Sequence, residues 1–236
     1  MDGGTAMNLR HISASSSSAD AAARAENSDA PLENGLAPPR RTFAIAAVLG
    51  AMAMVVGDAG MTNVALPTIA RTFEIRSSNA VLVVTAYQTA VVMALLPSAS
   101  LGERYGYRRI FRWGVALFLC ASAASAMASS LLWLIGARFI QGLGGAAVLA
   151  LGVALLRFSV SDGRLGAAIS WNALTVALSS AAAPAIGALI LSQSHWPWLY
   201  AVNLPLGVAV MCAASALPQT PRKAILIDFV SIALNC

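Results

Sequence analysis

The stretch Leu131–Leu156, LLWLIGARFIQGLGGAAVLALGVALL, constrains this chain more than any other. It is apolar over 26 residues and carries a single charge, Arg138. A run of that length and character reads as a helix crossing a membrane. An arginine within such a helix is costly to keep from water, so it needs a partner and marks a functional position. Seven apolar residues precede it, and small residues follow at Gly142, Gly144, Gly145, Ala146 and Ala147.

The rest of the chain is of the same kind. Charged residues are 11% of the sequence and hydrophobic ones 58%, with mean hydropathy +0.72. Soluble domains carry about 25% charged residues. The composition therefore implies an all-α integral membrane protein. The net charge of +5 lies in short turns without interleaved aromatics, so no nucleic-acid partner is expected. Cys120, Cys212 and Cys236 have no metal or disulfide spacing and read as small packing residues. No metal or cofactor is expected.

Residues 1–41 are polar, low in complexity and end in Pro38-Pro39-Arg40-Arg41, which reads as a disordered cytoplasmic tail rather than a cleaved signal peptide. Residues 42–218 hold six apolar spans, at about Phe43–Leu66, Ala80–Leu101, Trp113–Ala128, Leu131–Leu156, Leu165–Leu191 and Trp198–Leu217. Residues 219–236 form a cytoplasmic linker and the start of a seventh span, beginning at Ala224 and containing Asp228. With the tail inside, 12 of the 15 Lys and Arg residues fall on the cytoplasmic side; Arg71 and Arg76 fall outside and Arg138 within the membrane. That asymmetry places both ends of the six-span unit in the cytoplasm.

Asp58 is the acid deep in a span. Counted from the outer ends of their spans, Asp58 and Arg138 both lie about 10–12 Å below the surface at ~1.5 Å per residue. Opposite charges at one depth suggest a pair, and a carboxylate beside a cation can exchange a proton. Asp58 and Arg138 are thus candidates for proton coupling and substrate response, with a static structural pair as the alternative. Thr85, Tyr87, Gln88 and Thr89 in span two, and Trp171 and Asn172 in span five, are candidate cavity-lining groups or interhelical contacts. The turn Leu101-Gly102-Glu103-Arg104-Tyr105-Gly106-Tyr107-Arg108-Arg109 suits a latch tying one helix end to the next, with Gly106 at the bend. Pro184 is expected to kink span five among small residues including Gly187. Gly142-Leu143-Gly144-Gly145-Ala146-Ala147 matches a dinucleotide fingerprint in letters only. No strand precedes it and it lies inside a span, so helix packing is the better reading.

In order, these segments resemble the major facilitator superfamily, and within it the 14-helix drug:proton antiporter family. Asp58 with Asn63–Pro67 resembles the family's aspartate followed by N-V-A-L-P. Leu82–Tyr87 resembles W-V-V-T-A-Y with leucine for tryptophan. Leu101, Arg104, Gly106, Arg108 and Arg109 match the cytoplasmic signature, with Ala99, Glu103 and Tyr107 as replacements. Arg138, Gln141, Gly142, Gly144, Gly145 and Ala146 resemble the span-four motif, and Pro184 and Gly187 the antiporter motif. Trp196–Gly207 resembles W-r-W-i-f-x-i-N-l-P-i-G.

The resemblance implies the six-transmembrane-helix amino-terminal bundle of a major-facilitator fold, with Asn63 and Gln141 joining the cavity candidates. It implies proton-coupled export of drugs or other lipophilic molecules across a cytoplasmic (inner) membrane. The partners are protons, a small-molecule substrate, the lipid bilayer and a carboxy-terminal half supplied in cis or trans. The expected form is an amino-terminal fragment, since substrate sites lie between two halves. Export of a specific metabolite or natural product fits the same scaffold. A non-transporting assembly subunit would have little use for charges within the membrane.

Overall fold

The computed structural model describes residues 40–217, all within the second of two parts into which the chain divides, residues 34–236. The expected tail before Arg40 and the expected linker and seventh span after Leu217 lie outside the described residues. Seven α-helices follow in order: α1 (Arg40–Thr72), α2 (Ser77–Tyr105), α3 (Tyr107–Ala126), α4 (Leu131–Ser159), α5 (Asp162–Gln193), α6 (Trp198–Ala201) and α7 (Asn203–Ala213). A 3-10 turn at Ala214–Ala216 ends the series. No strand occurs among the described residues.

The helices α1, α2, α4 and α5 are long and apolar enough to cross a membrane. The third span begins earlier than hydropathy indicated, at Tyr107 rather than Trp113, because Arg108, Arg109 and Arg112 continue its first turns. The sixth span is two hydrogen-bonded pieces. Pro205 has no N–H to give the carbonyl one turn back, so the ladder is interrupted at Val202. Val202 keeps helical dihedrals (φ −62°, ψ −24°), and the rod continues through the break.

Sharp turns set the up-and-down order. Gly106 separates α2 from α3 at φ 96°, and its N–H bonds back to the Gly102 carbonyl at 2.9 Å. Ser130 caps α4, its hydroxyl accepting from the Trp133 N–H. The Trp133 indole donates to the Ala124 carbonyl at 2.9 Å, holding the α3–α4 corner.

Small residues let the backbones approach, which drives helix association in a membrane. A Cβ at Gly142 would meet the Tyr87 carbonyl of α2 at 2.5 Å, and one at Gly144 would meet the Phe118 backbone of α3 at 2.6 Å. On the far side of α1, Gly60 receives Ala183 of α5, and Gly187 of α5 lies against Met61. The glycine run is thus a packing seam. Pro184 is exposed inside α5, which stays helical through Gln193. Cys120 and Cys212 face outward from the bundle rather than packing within it, correcting the sequence reading.

Two apolar clusters form the interior. One gathers Ala44, Val48, Met52, Val55, Phe111, Phe118, Leu151 and Leu155; the other gathers Met61, Ala65, Ile69, Leu134, Trp196, Leu199 and Tyr200. Along α1, Asp58 falls between Val55 of the first and Met61 of the second.

Candidate functional site: a buried polar layer

Between the clusters lies a layer of buried polar side chains: Asp58 and Thr62 from α1, Ser122 from α3, Arg138 and Gln141 from α4, and Asn203 from α7. Asp58 and Arg138 are 1% and 0% exposed. Taking two such charges out of water costs several kcal/mol each, so the layer must supply partners.

It does so for the carboxylate in full. Arg138 Nη1 donates to Asp58 Oδ2 in a short ion pair. Asp58 Oδ1 accepts from Gln141 Nε2 at 3.1 Å and from Asn203 Nδ2 at 2.6 Å. Gln141 is the hub. Its Oε1 accepts from Arg138 Nη1 at 2.7 Å, and its Nε2 also donates to Ser122 Oγ at 2.8 Å. Arg138 and Gln141 are three residues apart on one helical face, which is why one α4 turn serves both. The Thr62 hydroxyl returns to the Asp58 carbonyl at 2.9 Å, as hydroxyls in apolar helices commonly do.

Two rings close around the guanidinium. Its central carbon lies 4.2 Å from the Tyr87 ring centroid and 5.4 Å from that of Tyr200. The Tyr87 hydroxyl donates to the Val55 carbonyl at 3.3 Å.

The structure thus brings together Asp58, Arg138, Tyr87 and Gln141. Counting from span ends had placed the two charges at one depth, but α1 continues six residues past Leu66 to Thr72, so helix ends are no common datum. The other cavity candidates lie elsewhere. Asn63 is exposed, its amide turned back to the Ala59 carbonyl at 3.1 Å. Thr85, Gln88 and Thr89 are exposed along α2, as is Trp171 on α5, and Asn172 is half-buried.

At the far end of α2, Glu103 is half-buried and makes no ion pair among the described residues. Arg104 lies over the Tyr105 ring at 5.3 Å, and Arg109 is exposed. Arg108 reaches across the bundle, its Nη2 donating to the Ser215 carbonyl at 2.7 Å. That hydrogen bond joins the turn to the end of the sixth span.

Sequence reasoning missed Asn203, Ser122, Thr62 and Tyr200 as members of the site. A lone amide in an apolar run was a readable signal for Asn203. Ser122 and Thr62 offered none, since small hydroxyls are ordinary in membrane helices.

The described residues form a bundle of apolar helices, four of them long enough to cross a membrane, with a buried Asp58–Arg138 ion pair inside it. The chain belongs to the Major Facilitator Superfamily, whose family profile it matches over residues 41–228. It is 42% identical over 192 residues to the uncharacterized transporter YebQ of Escherichia coli, covering 81% of this chain and 42% of the relative. It is 38% identical over 177 residues to the drug efflux pump JefA of Mycobacterium tuberculosis, covering 74% of this chain and 34% of the relative. The fold matches a solved peptide transporter, POT, with TM-score 0.65 at 14% identity, covering 73% of this chain and 37% of that one. The chain thus spans about a third to two-fifths of the length of the relatives it matches.

Proposed function

We propose that this chain is the amino-terminal bundle of a proton-coupled exporter of lipophilic small molecules, a 14-helix antiporter of the inner membrane. Membership of a transporter family and kinship with a drug efflux pump support the class. The observation that carries the coupling is Asp58, a buried carboxylate whose every partner is a neutral amide or Arg138. Arg138 and both amides hold the charged form, so a proton on Asp58 would weaken its hold on α4 and α7. Proton occupancy is then read as a change in how α1, α4 and α7 are tied.

The relatives' length supports a second bundle, in cis or trans, as the other wall of the substrate cavity. The exposed polar groups Gln88 and Asn63, with half-buried Asn172, are the substrate-facing candidates. The close fit of Gly60 on Ala183 and of Met61 on Gly187 sits within a turn of Asp58 and supports the span-five motif as a sliding contact. The basic turn from Glu103 to Arg109 is the latch, with Arg108 on Ser215 as its fastened contact. Arginines at this end of the bundle support a cytoplasmic orientation for it.

The test is pH-gradient-driven accumulation of ethidium in everted membrane vesicles carrying the full-length transporter. Asp58→Asn is expected to abolish gradient-driven accumulation while the protein remains in the membrane. Accumulation at the parental rate in that variant would reject Asp58 as the coupling site.

A further inference from the structure

Arg138 has five N–H donors, and the partners described above engage only Nη1. Nε and Nη2 have no hydrogen-bond acceptor among the described residues, although the side chain is 0% exposed. A buried donor of this kind ordinarily finds a partner. What lies against the guanidinium is aromatic: Tyr87 at 4.2 Å and Tyr200 at 5.4 Å, both inside the roughly 6 Å reach of a cation–π contact. The rings are 3% and 1% exposed, and desolvation strengthens such contacts. Each ring also has a second contact. Tyr87 is anchored by its bond to the Val55 carbonyl, and Tyr200 packs edge-on against Trp196 at 6.1 Å.

We infer that Tyr87 and Tyr200 are positioning residues: an aromatic clamp that keeps the Arg138 charge in place whether or not Asp58 is charged. The inference deepens the coupling reading and rests on it for its functional meaning. A proton on Asp58 cancels the counter-ion of a fully buried guanidinium. Held by that ion alone, Arg138 would be left uncompensated in an apolar interior, and the layer would open. With two π faces on it and Gln141 Oε1 still accepting, the guanidinium stays where it is. The effect of the proton then falls on Asp58's bonds to Gln141 and Asn203.

The test is side-chain NMR of arginine-labelled protein in detergent micelles. In the parent, the Arg138 Nε–H resonance is expected upfield of the exposed Arg71 and Arg76, through ring current. Asp58→Asn, which mimics the neutral acid, is expected to leave it upfield. Tyr87→Leu is expected to remove most of the shift, and Tyr87→Phe and Tyr200→Phe, which keep the rings, to retain it. Return of the Arg138 signal to the range of Arg71 and Arg76 in Asp58→Asn would overturn the clamp. Loss of the shift in both phenylalanine variants would overturn it as well, without need of the leucine variant. A retained signal in Asp58→Asn, combined with undiminished ethidium accumulation, keeps the clamp and removes the proton-site reading.

Discussion

Asn203 donates to Asp58 Oδ1 at 2.6 Å, joining the start of α7 to the middle of α1 across 145 residues of chain. The two side chains are each 1% exposed, so water does not compete for the bond. Through it, the sixth span is held by the same carboxylate that holds α4.

Removing the amide tests that link. Asn203→Ala leaves Asp58 Oδ1 with Gln141 alone, and a hydrogen bond to a charged group contributes about 1.5–3 kcal/mol. The purified protein is expected to lose that much stability, seen as a lower thermal midpoint in micelles. Asn203→Asp places a second carboxylate beside Asp58, and is expected to lower the midpoint further than the alanine variant does.

The ion pair itself calls for a double-mutant cycle. Arg138→Met leaves a buried carboxylate without its counter-ion, and Asp58→Leu removes the counter-ion of a buried guanidinium. Breaking one side of such a pair costs about 3–5 kcal/mol, whereas replacing both sides with apolar groups is often close to neutral. The double variant is therefore expected to melt closer to the parent than either single one. Additive losses would mean that the two charges do not stabilise each other.

How far this was readable beforehand depended on the kind of signal. Span positions and the membrane class follow from runs such as Leu131–Leu156, because hydrocarbon solvates nothing polar. Asp58 and Arg138 stand out because a charge in such a run is costly. What could not be read is how the layer closes. The sequence leaves open whether Tyr87 lines a cavity or makes an interhelical contact, and offers Gln141 as a cavity group and a member of the span-four motif; both point inward at Arg138, while Gln88, next to Tyr87, is exposed. Neighbouring positions on a helix are separated by about 100°, and only the packed neighbours decide which one faces the core. Ser122 and Asn203 enter through contacts 19 and 145 residues distant in sequence, which no local pattern encodes.

The seam along α4 separates glycines that are needed from those that are not. A Cβ at Gly144 would stand 2.6 Å from the Phe118 backbone nitrogen and 2.7 Å from the Gly114 carbonyl. Neither atom can rotate away, so α3 has to move. Gly144→Ala is expected to cost about 1–3 kcal/mol, the usual range for overpacking. Gly136 lies on the same helix with nothing within 4 Å of its Cβ position, and Gly136→Ala is expected to be neutral or to gain up to about 1 kcal/mol in helix propensity. Equal thermal midpoints for the two variants would mean that α3 and α4 are not pressed together at Gly144.

Gly106 is needed for a different reason, its backbone. At φ 96° and ψ 127° it occupies a region that a side chain rarely tolerates, and this allows α2 to end and α3 to begin within a single residue. Its carbonyl also receives the N–H groups of Arg109 and Ile110, so the first turn of α3 is built on it. Gly106→Ala is expected to cost about 1–3 kcal/mol of backbone strain. The relief available is to unwind that first turn, which carries Arg108 away from the Ser215 carbonyl. The variant should therefore lose thermal stability and gain protease cleavage at the Arg108–Arg109 turn, with a trypsin time course as the measurement. Arg108→Gln, which gives up the Ser215 contact while leaving the backbone unstrained, should show the smaller thermal loss of the two. A Gly106→Ala protein with the parental midpoint and cleavage rate would mean that the turn does not depend on the glycine.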